Sequence, residues 1–313
     1  LAVNTGSGVT SVHASGDVAG TNGNGILAMV AGSVDFGLDG SVTGTTPGTG
    51  KDLIVTADAD VTGGLSGIMA GNYGTGGLTS VTARGDVTST SATGVSVYNH
   101  TSTTDLTVVL DGNVTGESGG IFAENFGSGA TVVTARGNVT GTGNTGIGTY
   151  GTGVYATNTG TNLTVTADAE VSGGAFGIRA WNYGTGSTSV TAKGDVTAKG
   201  NAGISAYIGL PGTGDLTVEA DARVSGRDYG IYAYNRGSGT TRVTAGVVTG
   251  AGLYGAMAVN GEIVTDLYGV VTGIKGPSGT DLTVDVAGAS GGVTGILAVN
   301  TGSGVTSVHA SGD

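Results

Sequence analysis

Apolar and polar residues alternate along most of the chain, in short runs separated by glycine-rich stretches. The segments "GIFAEN" at 120–125 and "TVVTARGNVT" at 131–140 are representative, with Ile, Val or Ala at alternate positions. A period of two is typical of a β-strand that buries one face. No stretch places apolar residues at helical spacing, and the 66 glycines recur too often to allow a helix. The pattern predicts an all-β chain.

The alternating runs form a repeat of about 26 residues, each with a "GIxAxN" segment, a glycine-rich turn and a second strand segment. The second segment has two forms, A ("SVTARGDVT", 80–88) and B ("NLTVTADAEVS", 162–172), which alternate strictly. Residues 1–17 recur letter for letter at 297–313, an offset of 296 residues. The repeat therefore predicts about ten units per long repeat, and a parent chain that continues beyond these residues.

A unit of this kind cannot bury its apolar face alone, so the units must stack on one another. We predict a single-stranded parallel β-solenoid that runs continuously over 1–313, with coils of alternating A and B type. Two longer units predict insertions near 31–46 and 261–276. Stacking aligns apolar columns such as the one through Ile121 and Val154, and these columns would form a narrow continuous core.

An asparagine column follows the first apolar columns. We expect it to point inward at a corner, where the amides bond to one another and to turn backbone along the axis. Its members include Asn72, Asn99, Asn125, Asn158, Asn182 and Asn235.

A second polar column, on the outward face of the second segment, alternates in charge from coil to coil. Opposite charges on neighbouring strands stabilise their pairing, so this column disfavours registers that stack like coils. Its members are Asp58, Arg84, Asp111, Arg136, Asp168, Lys193 and Asp221.

Arg84-Gly85-Asp86 matches the tripeptide that integrins bind in animal matrix proteins. The repeat explains this match, because Arg84 is one member of the charged column. We expect the tripeptide to lie within a strand.

The adjacent outward column is mainly acidic. Carboxylates side by side suit Ca²⁺, but the calcium-binding nonapeptide "GGxGxD" is missing and cations lie next to the column, so we predict no cofactor, with calcium as the alternative. The column contains Asp17, Asp60, Asp86, Asn113, Asn138, Glu170 and Asp195.

The charged residues lie in two regular columns and the three histidines are scattered, so no cluster of catalytic residue types is formed. This pattern predicts a protein that is not an enzyme; the alternative is a polysaccharide-acting β-helix lyase or glycosidase.

Aromatic residues, only 5% of the chain, concentrate on the outward face of the first strand. Exposed apolar stripes mark interaction sites, and Tyr and Trp suit both glycans and proteins. The stripe could equally serve as a ladder that strengthens strand stacking. Its members are Tyr98, Phe122, Tyr155, Trp181, Tyr207, Tyr232 and Tyr234, and the same two columns also contain Met69, Arg179, Met257 and Val259.

Net charge, apolar run length and cysteine content exclude several classes of partner and site. The net charge of −12 argues against nucleic acid, whose binders need a basic face. No apolar run approaches the length of a membrane span. The chain has no cysteine, which removes disulfides, thiolate metal sites and cysteine nucleophiles.

The iterated "GIxAxNxGTG…VTAxGDVTG" pattern resembles the passenger regions of bacterial autotransporters and related large surface adhesins. The resemblance covers the whole chain and implies a right-handed parallel β-helix exported to the bacterial cell surface. It implies an extracellular rigid rod or fibre segment of an adhesin or biofilm filament. The partners it implies are a host or bacterial surface protein or glycan, or further copies of the chain.

Overall fold

A computed structural model of the protein describes residues 1–37, 41–143, 151–266, 270–275 and 279–312. All regular elements in these ranges are β-strands. Each strand of a coil pairs in parallel with the equivalent strand of the coils before and after it. The chain is therefore a parallel β-solenoid, as the sequence predicts.

Each coil contributes up to three strands. The first strands form one sheet of 11 strands: Ala2–Asn4, Ile26–Val30, Ile68–Asn72, Thr93–Asn99, Gly119–Asn125, Thr152–Asn158, Phe176–Asn182, Ala202–Ile208, Tyr229–Asn235, Tyr254–Asn260 and Thr294–Asn300. The second strands are Thr10–Ala14, Leu53–Ala57, Thr79–Ala83, Leu106–Leu110, Thr131–Ala135, Leu163–Ala167, Thr188–Ala192, Leu216–Ala220 and Thr306–Ala310. The short third strands are Val18–Gly20, Val61–Gly63, Val87–Ser89, Val114–Gly116, Val139–Gly141, Val171–Gly173, Val196–Ala198 and Val224–Gly226. In two coils the second and third strands are merged, as Thr241–Gly250 and Leu282–Gly291.

The register pairs equivalent positions of successive repeats. Ile121 lies opposite Val154, and Ala123 opposite Ala156. In the second strands Val133 lies opposite Val165. These side chains are 0–1% exposed and belong to one hydrophobic cluster that runs through the coils. The apolar columns predicted from the repeat are thereby confirmed.

The second segment of most coils bends, and the expectation that Arg84-Gly85-Asp86 lies within a strand is wrong. One strand ends at Ala83 and the next begins at Val87. The Asp60 carboxylate accepts the backbone N–H of Asp86 (2.9 Å), and the Asp86 carboxylate accepts that of Asn113 (2.7 Å). The acidic column thus provides side-chain acceptors between coils at the bend, where the strand ladder is interrupted.

The merged strands show what the bend requires. In Thr241–Gly250 two residues, Gly246 and Val247, stand between the inward Ala245 and Val248. Three residues occupy the same interval at 136–138, and the third of them is an Asn. Where the extra residue and its side-chain acceptor are both missing, the backbone continues as one strand.

The asparagine column lies buried at the corner after the first strand. The Asn125 amide nitrogen donates to the carbonyls of Thr104 (3.1 Å) in the preceding coil and Ala130 (3.2 Å) in its own. Its carbonyl oxygen accepts the N–H of Gly127 (2.9 Å). Asn72, Asn182 and Asn235 repeat this arrangement, and Asn99 donates to its own turn. Among the described residues a direct bond between two amides of the column joins only Asn158 to Asn182 (3.4 Å). The column therefore bonds mainly to turn backbone and not to the next amide.

The alternating charges form separate pairs rather than an unbroken ladder. Arg84 pairs with Asp58, Arg136 with Asp111, and Lys193 with Asp168 (2.8 Å). Each pair joins a B coil to the A coil after it. Within the described ranges Asp221 makes no ion pair, and the cations do not pair with the following B coil. Hydrogen bonding from His13, and then Arg84, lowers the pKa of the Asp58 carboxyl.

The two insertions are antiparallel hairpins. Ser33–Phe36 pairs with Val42–Thr46, and Ile263–Thr265 with Val271–Ile274. Each hairpin follows the first strand of its coil closely. The stretches 38–40, 267–269 and 276 of the predicted insertions lie outside the described residues.

Candidate binding surface

The predicted aromatic stripe lies on the outward face of the first-strand sheet. All of its members are partly exposed there: Tyr98, Phe122, Tyr155, Trp181, Tyr207, Tyr232 and Tyr234. The register places Phe122 beside Tyr155, and Trp181 beside Tyr207, on neighbouring strands. Parallel pairing of successive coils is what aligns these side chains, because equivalent positions repeat along the axis.

Two further aromatic sets, which the sequence analysis missed, widen this surface. Tyr73, Phe126 and Tyr183 each follow an inward asparagine, and Phe176 and Tyr229 begin the first strands of their coils. The recurrence of an aromatic residue directly after the asparagine column was the signal that could have identified the first set. We call the stripe together with these sets the aromatic face.

The rings of the aromatic face contact one another along the axis. Phe122 and Tyr155 stack with centroids 4.4 Å apart, and Trp181 lies 5.6 Å from Tyr207. Tyr207 meets Tyr234 edge to face at 5.7 Å. Such contacts stabilise neighbouring strands, and the rings keep part of their surface exposed. The two alternatives left by the sequence, a stacking ladder and a binding surface, are therefore compatible.

The hairpins bound the aromatic face at both ends. Ile263 and Val271 of the second hairpin pack with Tyr254, Met257 and Val259, and these three side chains are 0–2% exposed. Met257 and Val259 were predicted to be outward, but the hairpin covers them, so they are not part of the exposed surface.

At the other end, Leu27 and Met29 occupy the same outward columns and are buried in the coil that carries the first hairpin. Seven coils lie between the two hairpin-bearing coils, from Ile68–Asn72 to Tyr229–Asn235. At the usual spacing of paired strands, these seven coils make a trough roughly 30 Å long.

Two charged side chains lie among the rings without an ion-pair partner in the described part of the chain. The Arg179 guanidinium carbon is 3.6 Å from the ring centroid of Trp181 and 5.2 Å from those of Tyr155 and Phe176. Burial lowers the pKa of Arg179. Glu124, two coils away, has its carboxyl pKa raised by burial. Both groups therefore carry a desolvation cost that no ion pair with another described residue offsets.

Two hollows adjoin Trp181. The larger, about 370 Å³, is lined by Trp181, Tyr207, Tyr234 and the ion pair in which Arg236 donates to Glu262 (2.8 Å). The smaller, about 270 Å³, lies among Phe176, Trp181, Asn201, Ser205, Tyr229 and Tyr232. Trp181 and Tyr232 line both, so the hollows are adjacent. The Trp181 indole N–H donates to the Ser205 hydroxyl (3.1 Å), which fixes the ring.

Alkaline titration should report how deeply two tyrosines of this face are buried. Burial, followed by the neighbouring Tyr254, raises the pKa of Tyr229 to about 12, and burial raises that of Tyr232 further. Because the neutral ring is favoured in the fold, this contribution to stability is present below pH ~10 and is lost as the pH rises through the folded-state pKa. We expect tyrosinate absorbance to show a late phase that Tyr229→Phe reduces. In concentrated guanidinium the late phase should vanish; a single phase near pH 10 in the folded protein would contradict the burial.

No three His, Asp or Glu side chains come together as a candidate metal site within the described ranges. No helix there has the length and hydrophobicity to cross a membrane. No protein-family profile, curated protein or solved structure gives a significant match to the chain.

Proposed function

We propose that this chain is a rigid rod or fibre segment on the outside of a bacterial cell, and that it binds through its aromatic face. The observation that carries the proposal is the trough, in which aromatic rings stay partly exposed between two hairpins on an otherwise regular solenoid. Monomeric proteins seldom leave contiguous apolar surface exposed unless it serves an interaction.

The solenoid suits a mechanical role. The core is continuous along the axis, parallel strands link each coil to the next, and buried asparagines such as Asn125 add further links between several coils. A stack of this kind extends in one dimension and holds surface positions at fixed spacing. The rod would hold the aromatic face at a distance from the cell, where a surface protein, a glycan or a second rod can reach it.

Replacing Trp181, Tyr207 and Tyr234 together by serine should abolish attachment or bundling. These rings adjoin one another and line the larger hollow, so their loss removes the contact surface. We would coat beads with the purified protein and count attachment to epithelial and bacterial cells, and follow bundling by electron microscopy.

The matched control replaces Thr134, Thr166 and Thr191 by serine. These residues lie on the second-strand sheet and alternate with buried positions in the same way. Attachment and bundling that survive the aromatic change would show that the rings serve only strand stacking. Release of new reducing ends from a polysaccharide would instead favour the enzymatic alternative.

A further inference from the structure

We infer that the trough binds an acidic oligosaccharide, whose carboxylate pairs with Arg179 and whose sugar rings pack on Trp181 and its aromatic neighbours. This inference rests on the proposed binding function of the aromatic face and specifies the chemical class of the ligand.

Arg179 stands apart from the other cations of the chain. Among the described lysines and arginines, those that make no ion pair are exposed to solvent, and Arg179 alone of this set is not. Its Nε is shielded from solvent and has no hydrogen-bond partner within the described residues. The Nε–H of this guanidinium is an unfilled donor, and the planar shape of the group matches a carboxylate.

The hollows beside Trp181, the ring on which Arg179 packs, suit a sugar. Trp181 and Tyr232 line two adjacent hollows that together offer room for more than one ring. The walls combine aromatic faces with hydroxyl and amide groups from Ser205, Asn201 and several tyrosines, and the larger hollow also carries the Glu262 carboxylate, which is paired with Arg236. Sites of this composition, mostly aromatic with a few polar groups, are typical of small-ligand recognition.

The hairpins argue against a flat macromolecular partner at this face. The second hairpin covers the outward columns at its end of the trough, and at the other end Leu27 and Met29 of these columns are buried in the coil that carries the first hairpin. A stable protein interface usually buries about 800 Å² on each partner, so a second rod would have to pack around the hairpin that covers Tyr254, Met257 and Val259. A chain of sugars that fits between the hairpins meets no such obstacle.

Because the protein carries a net negative charge, binding of an anion would indicate a specific local contact. At −12 the protein repels anions at long range, so nonspecific attraction cannot produce binding. At 0.15 M salt the repulsion is screened beyond about 8 Å, and a local contact with Arg179 can dominate.

The test uses the fluorescence of Trp181, which is the only tryptophan in the chain. Hexameric oligogalacturonate and a hyaluronan hexasaccharide are titrated in 0.15 M salt, with the methyl ester of the former as a neutral probe and a glutamate decamer as an acidic peptide. We expect the two acidic sugars to change the emission, and the ester to bind at least tenfold more weakly.

Arg179→Gln should lower affinity for the acidic sugars to that of the ester, and Arg179→Lys should retain part of the difference. Arg242→Gln is the matched control, because Arg242 is exposed, makes no ion pair with another described residue and lies on the second-strand sheet. Thermal midpoints confirm that each variant is folded.

Equal binding of acid and ester, or unchanged binding by Arg179→Gln, would overturn the inference, as would binding of the peptide alone. Failure of both acidic sugars would overturn it too. The proposed function would survive any of these results if the serine variant of the aromatic face still lost attachment.

Discussion

Substituting alanine for Gly177 is expected to lower the free energy of unfolding by about 3 kcal/mol, because overpacking a close contact forces backbone to move. A Cβ at this position would lie 2.5 Å from Val196 Cγ1 and 2.6 Å from the Gly203 carbonyl oxygen. One of these atoms is backbone of the next coil, so rotamer changes cannot relieve the clash. The first-strand sheet would have to open between two coils.

The same glycine recurs directly before the first inward Ile or Val of most coils, and before Ala256 in the coil that carries the second hairpin. Gly67, Gly120 and Gly230 would meet equivalent valine and carbonyl atoms. The column sets how closely successive coils approach, so a defect at one coil should weaken the array there. Because repeat arrays unfold in segments, hydrogen exchange should show loss of protection first in the strands around 176–208.

Gly288→Ala is the matched control, because a Cβ there meets no atom within 4 Å. We expect its unfolding free energy to stay within about 0.5 kcal/mol of the parent protein in guanidinium titrations followed by circular dichroism. If both variants lost the same stability, the close approach at Gly177 would not be what limits coil spacing.

The register of the solenoid could be predicted from the sequence because two periods coincide. Alternation within a strand tells which side chains point inward, and recurrence between coils tells which of them stack. Ile121 over Val154 and Asn125 over Asn158 follow from these two facts alone. The bend at 84–86 did not follow, because alternation on its two sides is in phase and a continuous strand would show the same pattern.

The trough was only partly predictable for a different reason. The sequence shows where an insertion leaves the coil but not the direction in which it folds, so the covering of Met257 by a hairpin could not be foreseen. The isolation of Arg179 is also a property of three-dimensional neighbours. Its sequence neighbours Ile178 and Ala180 point inward. In the two adjacent coils the residues paired with Arg179 are Tyr155 and Ser205, so neither coil places an acid beside it.

Asn125→Ala is expected to cost about 4 kcal/mol of unfolding free energy, because it leaves several buried polar groups without partners. The Asn125 side chain is fully buried and bonds three backbone groups, the carbonyls of Thr104 and Ala130 and the N–H of Gly127. Alanine fills little of the space and offers no donor or acceptor. Since Thr104 belongs to the preceding coil, the substitution also removes a link along the axis.

Asn113→Ala provides the matched control, since it makes the same chemical change at an exposed bend. Asn113 accepts a hydrogen bond from the N–H of Asn138 (3.0 Å), and water can replace it there, so we expect a loss of at most about 1 kcal/mol. Guanidinium titrations of Asn125→Ala, Asn182→Ala and Asn113→Ala compare the two columns directly. Unchanged stability of both buried variants would contradict the role of this column in joining the coils. A large loss of unfolding free energy, with sugar binding retained under native conditions, would show that the column supports the rod and that the aromatic face binds the ligand independently of it.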